Sequence, residues 1–130
     1  MTGYTITKRF GFSAAHSLPG LPPEHKCHRE HGHNYVVELV LSGEELDSQG
    51  MVVDYAALGV FRKWIDTTLD HRNLNPFMER YETHRQSTAE NLAYRLWEVA
   101  RYLLMPLAVG WELVAVRVQE TDNTSAEWHA

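Results

Sequence analysis

The chain has a single cysteine, Cys27, among its 130 residues. No intramolecular disulfide can form, and the composition suits a reducing, cytoplasmic compartment. Long apolar runs are missing too. "LLMPLAVGW", from Leu103 to Trp111, is too short and too broken by proline and glycine to span a bilayer, so no membrane partner is expected. The opening "MTGYTITKRF" lacks the apolar segment of a signal peptide. Positive charge is scarce: 12 Lys and Arg against 17 Asp and Glu leave a net charge of −5 with histidines neutral. That argues against a nucleic-acid partner, which needs a basic surface. It leaves room for a small anionic ligand at a local basic site. No repeat or low-complexity tract is visible. Length and a 44% apolar content suit one domain over residues 1–130. A chain this short buries only about two-thirds of its unfolded surface, so assembly would help to cover a small sheet.

What is present reads as alternating strands and two amphipathic helices. Tyr4, Ile6, Phe10, Phe12, Ala14 and His16 share one parity, predicting a strand over 4–16 with one buried face, and Gly11 is a candidate for a bulge or a twist. Residues 18–30 hold three prolines and a glycine and read as irregular loop. A second strand is expected over 31–42, with His31, His33, Tyr35, Val37, Leu39 and Leu41 on one face. "MVVD" reads as a short strand, and Asp54 as the N-cap of a helix with Leu58, Phe61, Ile65 and Leu69 on its stripe. Residues 71–86 are polar and loop-like. Ser87 to Glu90 is S-x-x-E, a capping box, opening a helix with Leu92, Leu96, Val99 and Leu103 on one side and ended by Pro106. A last strand over 111–121 alternates strictly, with Val114, Val116 and Val118 facing in. The expected fold is α+β: a mostly antiparallel sheet with the helices on one face.

The chemistry-bearing residues gather in a few places. "CHREHGH", from Cys27 to His33, carries one cysteine and three histidines. In H-G-H the two imidazoles stand at i and i+2, on the same face of a strand. His16 ends the first strand on its apolar parity. If the two strands pair, His16, His31 and His33 meet and offer three nitrogens with a fourth position open, a catalytic zinc arrangement. Cys27 is either a fourth ligand or a thiol beside the metal, activated by the nearby cation. Asp70 and His71 in "LDHRNLN" form a candidate relay pair, with the carboxylate orienting the imidazole. Glu120 ends the apolar face of the last strand. Its carboxylate either has reached solvent or is fixed to accept two parallel hydrogen bonds from a flat amino-imine edge, which a 2-amino-4-oxo heterocycle presents.

Taken together, "FSAAH", "CHREHGHNY", "LDHRNLN", "STAEN" and "ETDNTSAEW", in that order from about Phe10 to Trp128, resemble the 6-pyruvoyltetrahydropterin synthase / 6-carboxytetrahydropterin synthase family. The resemblance implies the T-fold: a four-stranded antiparallel sheet with two helices on one face. It also implies trimers whose sheets close a β-barrel, paired into a homohexamer, with active sites between subunits. It makes His16, His31 and His33 the ligands of a Zn2+ cofactor and Cys27 a catalytic thiol that is not a ligand. Asp70 and His71 become its proton-transfer partners and Glu120 the pterin anchor. Thr88 and Glu90 fall in a segment lining the pterin pocket. The implied substrate is 7,8-dihydroneopterin triphosphate. One branch keeps the three-carbon side chain and gives a pyruvoyl product. The other releases acetaldehyde, leaves 6-carboxy-5,6,7,8-tetrahydropterin for 7-deazapurines such as queuosine, and carries C-x-x-x-H-G-H. Cys27 to His33 has that spacing, so the carboxy branch is expected. The start of "ETDNTSAEW" also resembles the pyruvoyl branch. Two readings compete with an enzyme of this kind. A non-catalytic zinc-stabilised binding module would use Cys27 to hold the metal. A zinc hydrolase would need neither Cys27 nor Glu120.

Overall fold

The computed structural model describes residues 2–130. Its strands are β1 (Tyr4–His16), β2 (His31–Gly43), β3 (Arg72–Asn73), β4 (Trp111–Thr121) and β5 (Thr124–His129). Its helices are α1 (Gly59–Thr68), α2 (Asn75–Glu79) and α3 (Ala89–Leu104). The sheet runs β3-β1-β2-β4-β5, and the four long strands are antiparallel throughout. Two-residue β3 adds a parallel bridge beside Ala14 and Ala15 of β1.

Register explains why the parity of the strands matters. Phe10 pairs with Val37, Phe12 with Tyr35, Ala14 with His33 and His16 with His31. One face of the sheet is therefore apolar until it ends in histidines. Phe10, Phe12, Tyr35, Val37, Leu39, Leu41, Val116 and Val118 are buried there beneath the helices. Leu58, Phe61, Ile65 and Leu69 of the α1 region expose nothing, and Asp54 caps the preceding 3-10 turn by accepting from Ala56 N at 2.9 Å. Each such aliphatic or aromatic side chain contributes about 1.5–3 kcal/mol when taken from water. α3 lies across β4 and β5, where Trp128 packs 4.2 Å from Trp97, ring centre to ring centre.

The opposite face of the sheet is polar. Arg9, Glu38, Arg117 and Glu127 lie directly opposite one another on β1, β2, β4 and β5. Arg9 Nε is 3.3 Å from Glu38 Oε2, Arg117 also binds Glu38, and Arg117 Nη2 donates to Glu127 Oε1 at 2.7 Å. Glu38, buried at 9% exposure, is thus held between two guanidinium groups.

Five local expectations are corrected. "MVVD" forms no strand. Register runs unbroken past Gly11, which pairs with Val36, so no bulge lies there. Irregularities lie in β4: the partners of Val40 and Leu41 on β2 are Ala115 and Leu113, and on the β5 side Gln119 and Thr121 pair with Ser125 and Thr124, passing over Glu120. Against β2 Val114 is the skipped residue, and the inward set becomes Trp111, Leu113, Val116 and Val118. A bulge of this kind resets the side-chain alternation beyond it. Within 71–86, Arg72–Asn73 bridges to β1 and Asn75–Glu79 coils, burying Phe77 and Met78. The α3 cap is Thr88, whose hydroxyl accepts from Asn91 N at 3.2 Å, and Ser87 turns inward instead.

Candidate metal centre and active site

β1 and β2 carry three imidazoles to the end of the core face. Because His16 pairs with His31, and His33 follows two residues on, the rings pack edge to face, with centres 4.5–5.1 Å apart. One nitrogen from each lies within 4.8 Å of the others, and these are the histidines able to hold a metal together.

The hydrogen bonds of the rings say which nitrogens are free. His16 Nδ1 is 2.8 Å from the Ser87 carbonyl, and His31 Nδ1 is 2.8 Å from the Arg29 carbonyl. A carbonyl only accepts, so each Nδ1 carries a proton, and in a neutral ring the lone pair is then on Nε2. The Nε2 atoms of His16 and His33 are buried without any hydrogen-bond partner. Orphaned buried acceptors of this kind are rare, and a cation is what a trio of imidazole lone pairs can satisfy. The donor set of neutral imidazoles, with carbonyls ordering two of them, suits zinc. Burial holds the basicity of His16 below its ordinary value, against the Ser87 bond and the Glu120 charge, and lowers that of His33 against Glu120. Neutral rings are the state that can ligate.

Glu120 lies beside this group. Its carboxylate oxygens are 3.7 Å from His33 Nε2 and 3.9 Å from His16 Nε2. The Tyr35 hydroxyl is also buried and unpartnered, and burial together with the Glu120 charge raises its pKa.

Asp70 and His71 touch although they are chain neighbours. His71 Nδ1 is 3.0 Å from Asp70 Oδ2, and Asp70 Oδ1 accepts from Ser13 N at 2.9 Å. The Ser13 bond and then the His71 bond hold the Asp70 carboxyl below the usual carboxylate range. This dyad sits on the outer edge of β1, the edge that β3 bridges, and the imidazole is 82% exposed. It borders a cleft of about 540 Å³ shared with Ser13, Glu30, His33, Asn34 and Arg72.

The remaining expected site residues are placed apart. Cys27 lies on a 3-10 turn, Lys26–His28, half-buried and outside the group of convergent nitrogens. Its backbone N–H donates to His25 Nδ1 at 3.0 Å. Thr88 is committed to capping α3, and Glu90 is exposed on the first turn of that helix. The structure thus brings together His16, His31, His33 and Glu120 in one group and Asp70 and His71 in another. Tyr35 and Ser87 belong to the site as well: the parity of Tyr35 with His33 signals the first, and the second lies in "STAEN", where the capping-box pattern hides its contact with His16.

Comparison with known proteins identifies the family and the fold. The family described as 6-pyruvoyl tetrahydropterin synthase matches residues 5–130. The 6-carboxy-5,6,7,8-tetrahydropterin synthase of Rickettsia typhi is 31% identical over 105 residues, covering 69% of this chain and 75% of that protein. The human 6-pyruvoyl tetrahydrobiopterin synthase is 35% identical over 129 residues, covering 91% and 86%. The solved structure of the Caenorhabditis elegans 6-pyruvoyl tetrahydropterin synthase superposes with a TM-score of 0.82 at 32% identity, covering 100% of this chain and 97% of that one. A family match over nearly the whole length, with the same fold in a relative of known structure, means that the chain belongs to the 6-pyruvoyl tetrahydropterin synthase family.

Proposed function

We propose that the protein is a zinc-dependent carbon-carbon lyase. It converts 7,8-dihydroneopterin triphosphate, with uptake of water, into 6-carboxy-5,6,7,8-tetrahydropterin, acetaldehyde and triphosphate, in a 7-deazapurine (queuosine-type) route in the cytoplasm. The observation that carries the metal reading is the pair of buried, unpartnered Nε2 atoms on His16 and His33. The observation that favours the carboxy product is the spacing C-x-x-x-H-G-H from Cys27 to His33. The name of the Rickettsia typhi relative accords with it.

His16, His31 and His33 would hold the zinc, which when bound acidifies the hydroxyls of a ligated side chain. Glu120 would accept the 2-amino and ring N–H of the pterin as a bidentate pair, fixing the ring. Thr88 and Glu90 would line the wall of that pocket. Cys27 would move the proton at the side-chain carbon as thiolate, and His71, held by Asp70, would act as its acid–base partner. No hydrogen bond joins Cys27 to Asp70 or His71 among the described residues of one chain. The outward, edge-of-sheet position of His71 supports a site shared between subunits. A homohexamer of two trimers, each closing a barrel, is the assembly proposed. It would also pair the open edges of β1 and β5, which otherwise stay available for aggregation.

A second reading is favoured by the human relative, which matches more of the chain: triphosphate elimination without carbon loss, giving 6-pyruvoyltetrahydropterin. Incubation with dihydroneopterin triphosphate and mass analysis separates the two. Acetaldehyde with the carboxy product supports the first reading; a pyruvoyl product rejects it in favour of the second. No turnover, with zinc released by Cys27→Ala, would leave a binding module.

A further inference from the structure

Behind His16 stands a chain of polar groups that the pattern of ligands does not account for. Ser87, 2% exposed, faces the ring with two oxygens: its carbonyl at 2.8 Å and its hydroxyl at 3.2 Å from Nδ1. The hydroxyl lies 2.8 Å from Asn75 Oδ1 and 3.3 Å from the Ser17 carbonyl. Asn75 Oδ1 also accepts from Ser17 N at 3.2 Å, while Asn75 Nδ2 donates to Ser17 O at 2.9 Å and to Ser17 Oγ at 3.2 Å. The backbone N–H of Asn75 donates to Asn73 Oδ1 at 2.8 Å, and Asn73 Nδ2 donates to Glu30 Oε2 at 2.8 Å. One asparagine thus ties the residue after His16 to the residue that holds the His16 ring.

The direction of the protons gives this network a specific effect. A serine hydroxyl has one proton, and the nearest acceptor for that of Ser87 is Asn75 Oδ1. With the proton committed there, Ser87 Oγ turns a lone pair toward His16. The Ser87 carbonyl can only accept as well. Both oxygens therefore require a proton on His16 Nδ1, which leaves Nε2 as the lone pair pointing into the group of histidines. Without Asn75 the hydroxyl keeps only the longer contact to the Ser17 carbonyl, at 3.3 Å, and is freer to rotate and donate to Nδ1, where it competes with the Ser87 carbonyl and favours the opposite tautomer.

We propose that Asn75 is a positioning residue for the metal site: acting through Ser87, it holds His16 in the Nδ1–H tautomer with Nε2 aimed at the metal. The proposal rests on the reading that the three histidines bind zinc. It also gives the "LDHRNLN" segment two tasks, with the acid–base dyad at its start and the support of a ligand at its last residue.

The test measures zinc affinity by chelator competition and, in the metal-free protein, the tautomer of His16 by ring 15N chemical shifts. Asn75→Ala is expected to weaken zinc binding by about 10- to 100-fold, as loss of an outer-shell partner does elsewhere, and to move His16 away from the pure Nδ1–H form. Asn75→Asp keeps the oxygen that accepts from Ser87 and is expected to recover most of the affinity. A mere staple predicts otherwise: a lower Tm, zinc affinity within twofold of wild type, and an unchanged His16 signal. That result overturns the proposal, as does an aspartate variant no better than alanine. Should Asn75→Ala fail to fold, the near-isosteric Asn75→Leu is measured in its place with the same expectations. Ser87→Ala removes the hydroxyl through which Asn75 acts and leaves the carbonyl to hold Nδ1–H. On that background the Asn75 substitution is expected to change neither zinc affinity nor the His16 signal, and a further loss of zinc affinity there overturns the proposal. If wild-type protein binds no zinc, the metal reading itself falls and the proposal with it; if wild type binds and Asn75→Ala binds as well, only the proposal falls.

Discussion

His71 meets Asp70 because its backbone is left-handed. At φ +60° the chain reverses between the two residues, and His71 Nδ1 comes to 3.0 Å from Asp70 Oδ2 while His71 N donates to the Ser13 carbonyl at 2.6 Å. Consecutive side chains on extended backbone point to opposite sides, so the contact depends on this conformation. A non-glycine residue there is costly and persists only where surrounding bonds hold it. Ser13 supplies those bonds to both members of the dyad.

Asp70→Asn should therefore keep the fold and lose the function of the dyad. The amide still accepts from Ser13 but no longer stabilises a charged imidazole. Turnover is expected to fall about 10²- to 10⁴-fold, the range for an acid–base group, with zinc content unchanged. Steady-state kinetics beside metal analysis checks this.

The same carboxyl predicts a pH dependence of stability. Its folded pKa lies below the ordinary carboxylate value of 3.8, so near that pH the unfolded chain binds more protons than the folded one. The stabilisation is complete above 3.8 and fades as pH falls through the lower folded value. The Tm difference between wild type and Asp70→Asn should shrink on acidification below about pH 4. A difference that stays constant to pH 2 would contradict the assignment.

Cys27→Ala separates catalysis from metal binding. Cys27 lies outside the convergent nitrogens, so the variant should retain its zinc while losing about 10²- to 10⁴-fold in turnover. Zinc loss in parallel with activity would make Cys27 a ligand.

Glu120→Gln should act on substrate binding first. Losing the charge weakens paired hydrogen bonds by about 1.5–3 kcal/mol, on the order of a 10- to 100-fold rise in KM for the pterin. A fall in kcat alone would assign the carboxylate to the metal group it adjoins.

A site shared between subunits predicts complementation. Cys27→Ala and His71→Ala homo-oligomers should both be inactive, and mixing them after dissociation and reassembly should restore a measurable fraction of activity. No recovery in mixed assemblies places all these groups in one subunit.

Much of this arrangement is legible in the sequence, because it depends on period-two alternation. His16, His31 and His33 share a face with Phe12, Ala14 and Tyr35, and a regular antiparallel register is enough to make them meet. What parity could not reveal is what departs from it. One skipped residue at Val114 leaves no mark in a run of valines, since either phase is apolar. Ser87 and Thr88 are both good caps, and the choice between them was decided by the need of His16 for a buried acceptor, a contact 71 residues away. The meeting of Asp70 and His71 required a left-handed histidine that no local propensity announces. Short β3 and α2 are too brief to show a period at all.

The row of Arg9, Glu38, Arg117 and Glu127 has a consequence for topology. Each member faces its neighbour directly across a strand boundary, and the signs alternate from β1 to β5. Such cross-strand pairs are worth only about 0.2–1 kcal/mol each, a minor share of stability. As a code they are more informative. Exchanging the places of β1 and β2 sets Arg9 against Arg117, and exchanging β4 and β5 sets Glu38 against Glu127. The apolar face rewards burial in any sequence of strands; the charged row penalises those misorderings, so the sheet reads its own strand order from the side that faces away from the core.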